Sequence, residues 1–308
     1  MLKQLVNGLA LLGFLLGISL FLWLPFGLLY LLSDGVAWLL HRVLRYRRKV
    51  VIGNLKASFP ALDSSAVEKI ASDFYRHFSD ILLEGIKGMF LSEEQMRQRY
   101  KLLNPELLEP YFEQGKSVFL VFPHYNNWEW GVTGIPLQVK HRVVGVYKPL
   151  RQRSVGEFVD RRRKRFGLVL RPITETKAAM LEAQEQPSAY LMMSDQNPSS
   201  AKRAQWMQFL NQPTACLHGA DYWGRRLDVP IVFLAVRRVK RGFYEGTLET
   251  LIPSPKDLPE GSVTRAFMQR SEDLIRVEPA SWLWSHKRWK RKLKDHPNAQ
   301  FIDGSAPG

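Results

Sequence analysis

The N-terminal stretch of the chain carries no charged side chain between Lys3 and Asp34. Its apolar part, roughly residues 5–32, is longer than the ~20 residues with which a helix crosses the ~30 Å hydrocarbon core of a bilayer. A basic block follows, from His41 to Lys49. We therefore expect an N-terminal transmembrane helix within residues 1–40, which would attach the rest of the chain to a membrane.

A cleaved secretory signal peptide is the alternative interpretation of this segment. The apolar core of such a peptide spans ~7–15 residues, and no convincing small-residue cleavage site precedes the basic block. Lys3 is the sole cation before the apolar segment, whereas six Lys or Arg lie between Arg42 and Lys56. The positive-inside rule then predicts a retained anchor with the bulk of the chain in the cytoplasm.

About 270 residues remain after the anchor, which is enough for one large globular domain or for a core with a small helical subdomain, and we expect one domain. Charge composition indicates its partners. The chain has 44 Lys and Arg against 29 Asp and Glu, a formal net charge of +15. This balance suits an anionic membrane surface, an acidic protein or a nucleic acid, and the predicted anchor favours the first two. The single cysteine, Cys216, excludes an intramolecular disulfide and any cysteine-rich metal site. We expect an anchor at 1–40, a basic juxtamembrane and helical segment at 41–113, an α/β core at 114–294 and a flexible tail at 295–308.

The pattern of apolar residues predicts alternating helices and strands after the basic block. Ser65 and Glu68 form a capping-box pattern that opens a helix, and the chain reads as helical to about Phe112. Short continuous apolar runs predict buried strands at 118–122, 143–147, 190–193 and 230–236, and a further strand at 243–252 pairs antiparallel with the last of these. Helical composition marks 128–135, 155–166, 177–186 and 215–226. The fold class is therefore α/β, with a mostly parallel sheet flanked by helices.

A histidine and a carboxylate follow the first predicted strand. His124 and Glu129 are separated by four residues, and Pro123 with the pair Asn126-Asn127 favours a loop that ends in a helix N-cap. Glu129 in the first helical turn would then reach back to one imidazole nitrogen, leaving the other as a general base. The alternative is a packed, hydrogen-bonded histidine without a catalytic role, because this spacing alone is common.

Several stretches of the chain, taken in order, resemble the lysophospholipid acyltransferase superfamily and specifically its lipid A lauroyl/myristoyl acyltransferase branch. They are the apolar segment with its basic block, Asn54 to Pro60, His124 to Trp130, Val146 to Pro149 with Arg161 to Gly167, Ser194-Asp195-Gln196, and Glu278 to Trp289. The resemblance implies a glycerol-3-phosphate-acyltransferase-like fold. It also implies a location at the bacterial inner membrane, with the catalytic domain on the cytoplasmic side.

The implied reaction transfers a fatty acyl group from acyl carrier protein to a hydroxyl of a lipid A precursor, with His124 and Glu129 as the catalytic dyad. An alcohol needs a base to accept its proton, whereas a thioester has a good leaving group with a thiol pKa near ~8.5. Direct transfer thus requires no covalent intermediate, and no G-x-S-x-G elbow is present. The implied reaction needs no cofactor beyond the acyl donor. We expect no metal site, because the seven histidines show no metal-binding spacing.

Basic and polar residues at the predicted strand ends are candidates for substrate binding. Lys148 emerges from a buried strand near the sheet edge where α/β proteins bind ligands. Arg163 and Arg165 lie in a basic stretch with the R-x-R-x-G pattern seen in relatives, although a solvated helix face is the alternative. Asn127, Asp195 and Gln196 complete the expected set.

Two further hypotheses stay open at this point. The acceptor could instead be a lysophospholipid, another glycolipid or an aminolipid, and a non-catalytic basic protein that binds membranes or nucleic acid could keep the same fold. The segment with Trp282, Trp284 and Trp289 combines aromatic and cationic residues. We interpret it as an interfacial or structural helix, with His286 as a weak candidate for a second base.

Overall fold

The computed structural model describes residues 13, 17–19, 21–150, 152–182, 185–200, 204–296, 299 and 301–304. The helices are α1 (Phe26–Trp38) with a π-helical continuation (Leu39–Val43), α2 (Arg48–Ser58), α3 (Ser64–Gly88), α4 (Glu93–Arg99), α5 (Glu109–Glu113), α6 (Trp128–Gly134), α7 (Arg153–Lys164), α8 (Thr176–Leu181), α9 (Gly219–Leu227) and α10 (Ser262–Val277). The strands are β1 (Tyr100–Leu102), β2 (Val118–Val121), β3 (Arg142–Tyr147), β4 (Val169–Pro172), β5 (Ser188–Met192), β6 (Gln205–Phe209), β7 (Gln212–Cys216), β8 (Ile231–Lys240) and β9 (Phe243–Ile252).

The central sheet has seven strands in the order β1-β9-β8-β2-β5-β3-β4. Neighbours run parallel except in the β8–β9 hairpin. Side chains of β2 point alternately to the two faces: Phe119 and Val121 belong to one hydrophobic core, and Val118 and Leu120 to the other. Helices cover both cores, which is why β2 is apolar at every position. The prediction of a mainly parallel sheet flanked by helices is confirmed.

The register between β2 and β5 positions the candidate site. These strands are parallel neighbours in which Val121 is paired with Met192. His124 lies three residues beyond Val121, and Asp195 lies three residues beyond Met192. Equal offsets from paired strand ends bring the two side chains to the same point of the sheet's carboxyl edge, where ligands of α/β proteins gather.

The observed elements differ from the predicted ones where short segments carry little periodicity. Strands β1 and β4 and the separate β6–β7 hairpin were not predicted, and α9 begins at Gly219 because the residues before it belong to the hairpin. The capping-box prediction is wrong. Asp63 caps α3 by accepting the N–H of Ala66 at 2.7 Å, and Glu68 instead binds His41 and Arg48.

The predicted transmembrane segment lies partly outside the described residues, which within 5–32 are 13, 17–19 and 21–32. Within the described part of the chain, no single helix has the length and apolar composition needed to cross a membrane. The pair formed by residues Phe26–Val43 and Arg48–Ser58 meets those two criteria together, with a bend of 85° between its halves. The predicted tail, 295–308, is also only partly described. Within its described part, the Asp303 carboxylate accepts the N–H of Gln208 in β6 at 2.8 Å.

Candidate active site

The loop after β2 is held by its own backbone and by the segment around Trp282. Asn126 has a positive φ of 53°, a conformation that Asn adopts more readily than most residues. Its buried side-chain amide donates to the carbonyl of Val236 at 2.7 Å. Its backbone N–H donates to the carbonyl of Ser281 at 3.0 Å. The carbonyl of His124 accepts the N–H of Leu283 at 3.2 Å. The loop therefore has a fixed shape before any ligand binds.

Asp195 holds the imidazole of His124. Its Oδ1 lies 2.7 Å from Nδ1 of His124, and its Oδ2 accepts the His124 backbone N–H at 3.0 Å and the indole N–H of Trp282 at 2.9 Å. The Asp195 side chain is 2% exposed and that of His124 is 15% exposed. Because Nδ1 is engaged, Nε2 is the nitrogen left to face a substrate, and none of the described residues forms a hydrogen bond with it.

The buried pair has opposed pKa shifts. Burial lowers the pKa of His124, but the charge and hydrogen bond of Asp195 outweigh it, so the pKa of His124 is raised above its ordinary value. Burial raises the pKa of Asp195, yet His124 and the Trp282 indole together lower it to about 2. Asp195 is therefore ionised at neutral pH, and it favours the protonated imidazolium that a general base must become.

Glu129 does not hold the imidazole, which corrects the expected contact. It lies in the first turn of α6, and its two carboxylate oxygens accept from Nη2 of Arg163 on α7 at 2.9 and 2.8 Å. Its negative charge still contributes to the raised pKa of His124. The spacing argument placed Glu129 in the right turn but could not show that a cation on the next helix would pair with its carboxylate.

The six candidate substrate-binding residues separate into two groups by what their polar atoms contact. The side chains already engaged are Asn127, Arg163, Arg165 and Asp195. Asn127 caps α6 by accepting the N–H of Trp130 at 2.9 Å, as predicted for this loop. Arg165 binds the carbonyls of Gly88 and Met89 at the end of α3, so its guanidinium joins two helices and is not directed at a ligand.

Lys148 and Gln196 form the second group. Lys148 follows the end of β3 and is exposed, while Gln196 follows Asp195 and is half-buried. Neither side chain has a hydrogen bond or ion pair within the described part of the chain. Both follow strands whose carboxyl ends lie at the same edge of the sheet as His124, so they remain candidates for substrate contact.

The tryptophan-rich segment lies in the core, so of its two predicted roles the structural one is confirmed and the interfacial one is wrong. Trp282, Trp284 and Trp289 are buried and pack against one another after a short 3₁₀ turn. Trp282 also belongs to the site, since its indole donates to Asp195, a contact that the sequence did not indicate. His286 accepts the N–H of Asn197 at 3.1 Å, and burial lowers its pKa to about 4. His286 is therefore neutral and engaged, as expected for a structural residue.

A second buried carboxylate, Glu84 of α3, supports the start of α6 and was missed by sequence reasoning. Its Oε2 accepts from the amide of Asn127 and the hydroxyl of Tyr244, each at 2.7 Å, and its Oε1 accepts from Tyr30 at 2.9 Å. Burial raises the pKa of Glu84 to about 7. The indole of Trp130 donates to the Glu84 carbonyl at 2.9 Å. The cluster connects α1, α3 and β9 to the loop that carries His124.

The described residues contain no group of three or more His, Cys, Asp or Glu side chains that could hold a metal ion. Cys216 is buried, and burial raises the pKa of its thiol, so it is a poor nucleophile. The chemistry that these side chains support is proton transfer at Nε2 of His124, next to a paired carboxylate and guanidinium.

Similarity to known proteins extends over nearly the whole chain. The family model described as bacterial lipid A biosynthesis acyltransferase matches residues 2–291. The chain is also similar to the lipid A biosynthesis lauroyltransferase of Escherichia coli (strain K12), with 22% identity over 291 residues that cover 92% of this chain and 93% of the relative. The chain therefore belongs to the bacterial lipid A biosynthesis acyltransferase family.

Proposed function

We propose that this protein transfers a fatty acyl chain from acyl carrier protein to a hydroxyl of a lipid A precursor, with His124 as general base. The observation that carries the proposal is the contact of Nδ1 of His124 with Asp195 at 2.7 Å, which leaves Nε2 for the substrate. Membership of the family supports acyl transfer onto lipid A. The acyl carrier protein as donor, the roles of the side chains and the position at a membrane go beyond family membership and belong to our proposal.

In the proposed mechanism, Nε2 of His124 accepts the hydroxyl proton as the acceptor oxygen attacks the thioester carbonyl. The tetrahedral intermediate collapses by breaking the C–S bond, and the thiolate takes the proton from the imidazolium, so that His124 returns to its neutral form. Asp195 fixes the tautomer of the neutral imidazole and stabilises the imidazolium that forms, in the way that a buried carboxylate orients a catalytic histidine. No covalent enzyme intermediate is required.

We assign Glu129 a positioning role in place of the expected contact with the imidazole. Its carboxylate holds the guanidinium of Arg163, and the resulting pair is partly exposed. Arg163 can then offer its remaining N–H groups to a phosphate or a carbonyl oxygen of a substrate. Lys148 and Gln196 lie at the ends of neighbouring strands and would contact the same ligand.

Location at the cytoplasmic face of the inner membrane is supported by helix α1, whose outer side is apolar. Its protein-facing side includes Ser33, whose hydroxyl donates to Asp80 at 2.6 Å. Large apolar side chains lie on its outer side, where Leu28 is 54%, Leu31 69% and Trp38 62% exposed. Such a helix suits lipid on its outer side. The net charge of +15 would attract both anionic lipids and an acidic carrier protein.

Acyl transfer by the purified full-length protein tests the proposal. Acyl carrier proteins of several chain lengths are combined with a panel of acceptors, including lipid A precursors and lysophospholipids, and products are identified by mass spectrometry. We expect a mass gain on the lipid A precursor with wild type, a loss of on the order of 10²–10⁴ in rate with His124→Ala, and a wild-type rate with the control His296→Ala. A mass gain on lysophospholipid alone would show that lysophospholipid, not a lipid A precursor, is the acceptor. A mass gain at the wild-type rate with His124→Ala would show that His124 is not the general base.

A further inference from the structure

A polar cavity of about 360 Å³ lies between the π-helical end of α1, helix α3 and the turn of the β8–β9 hairpin. Its wall contains Trp38, His41, Arg42, Ser72 and Arg76. None of these side chains belongs to the active site described above. The π-helix from Leu39 to Val43 carries two of the wall residues, and such segments are rare and recur at functional sites.

The charges of this cavity do not balance. Arg241 and Asp34, two further wall residues, are paired with each other, and Arg241 is also paired with the buried Asp80, each at 2.7 Å. Burial lowers the pKa of His41, which also contacts Glu68 at 3.1 Å, so this imidazole is neutral at pH 7. Arg42 and Arg76 are exposed, and neither forms an ion pair within the described residues. Two positive charges therefore face the cavity without a counter-charge.

Two guanidinium groups and the hydroxyl of Ser72 form a set of donors that fits a phosphate group. Arginine binds phosphate with paired N–H groups, and a phosphodiester carries one negative charge while a monoester carries nearly two. Apolar side chains lie beside the cavity on the same helix: Leu31 is 69%, Trp38 62% and Leu39 39% exposed. A free phosphate would gain nothing from these side chains, whereas the acyl chains of a lipid would cover them.

We propose that this cavity binds the phosphate headgroup of an anionic glycerophospholipid. The site is separate from acyl transfer and would fix the height and orientation of α1 at the membrane surface. A general attraction of the basic chain to an anionic surface treats all exposed cations alike. A built phosphate site instead depends on the two arginines of the cavity and on their planar geometry.

Native mass spectrometry of the full-length protein in detergent micelles tests this assignment by titration with dioleoylphosphatidylglycerol. Three double variants are compared with wild type. Arg42→Gln/Arg76→Gln removes both charges of the cavity, and Arg42→Lys/Arg76→Lys keeps the charges but loses the guanidinium geometry. The control, Arg226→Gln/Arg265→Gln, removes two charges from exposed positions on α9 and α10. Circular dichroism verifies the fold of each.

Wild type is expected to bind one phosphatidylglycerol in preference to phosphatidylcholine. The glutamine pair in the cavity should weaken binding about 25-fold, from about fivefold for each arginine near a lipid phosphate. The lysine pair should also weaken it measurably, and the α9–α10 control should not. Equal binding by the lysine pair and wild type, or equal losses in the cavity and control pairs, would overturn the site. Competition by sn-glycerol 1-phosphate at the same concentration as the lipid would overturn its assignment to a membrane lipid.

Discussion

Replacing Glu84 with glutamine should abolish one component of the pH dependence of stability. The carboxylate is buried among the donors Asn127, Tyr244 and Tyr30. A glutamine carbonyl placed at Oε2 can accept from Asn127 and Tyr244, and its amide placed at Oε1 can donate to the Tyr30 hydroxyl. Protonated Glu84 would use the same pattern, so Glu84→Gln imitates the neutral acid without a titrating group.

The size of the effect follows from the pKa of Glu84, which is raised from 4.5 to about 7. Below pH 4.5 the carboxyl is protonated in both folded and unfolded states. As the pH rises towards 7 the unfolded chain loses this proton while the folded protein retains it, so the free energy of unfolding falls. The loss is about 3 kcal/mol, at ~1.4 kcal/mol for each unit of pKa shift, and it is complete above pH 7.

Thermal unfolding in detergent between pH 5 and pH 8 measures this difference. Other titrating groups contribute equally to both proteins, so the quantity of interest is the Tm of Glu84→Gln minus the Tm of wild type. About 2.5 kcal/mol of the loss falls between pH 5 and pH 8, so at about 2 °C per kcal/mol for a chain of this size the difference should rise by about 5 °C. The exposed Glu106→Gln control should show a constant difference. Parallel curves for wild type and Glu84→Gln would refute the assignment of a neutral buried carboxyl.

Three further substitutions test the site. Glu129→Gln should fold normally and lower kcat about 10–100-fold, because the charge that fixes Arg163 is lost; a wild-type kcat would remove Glu129 from the mechanism. Trp282→Phe should lower kcat about tenfold by removing one hydrogen bond to the Asp195 carboxylate, with Tm recorded to separate stability from rate. Arg165→Ala should lower the free energy of unfolding by about 1–3 kcal/mol without a change in KM, whereas a raised KM at unchanged Tm would return Arg165 to the substrate site.

The inner strands of the sheet were predictable because they are buried on both faces and are therefore mostly apolar. Strands such as β2 and β5 appear in the sequence as short continuous runs, and the hairpin of β8 and β9 is marked by Gly242. Strand β1 has three residues, of which Tyr100 and Leu102 are buried and Lys101 is exposed. Such a segment has too few residues to establish a period, so its pairing with β9 depends on tertiary contacts.

The candidate site was predictable as a set of residues but not as a set of contacts. His124 and Asp195 each follow a buried strand, and the adjacency of those strands is a property of the sheet order that local patterns do not encode. Glu129 is close to His124 in sequence but pairs with Arg163, 34 residues further along the chain. The segment of Trp282 was interpreted as an interfacial or structural helix because it is rich in cations and aromatics, and that pattern does not indicate that the Trp282 indole donates to Asp195.

The central claim is that His124 is a general base whose pKa is set by Asp195. Measurement of kcat/KM against pH for wild type and Asp195→Asn tests it most directly. The wild-type rate should rise with pH through the raised pKa of His124, because the base must be neutral to accept a proton. Asp195→Asn should lower the rate by on the order of 10²–10⁴ and move this rise to lower pH, since the charge that raises the pKa is removed. An unchanged rate and an unchanged pH profile would contradict the account.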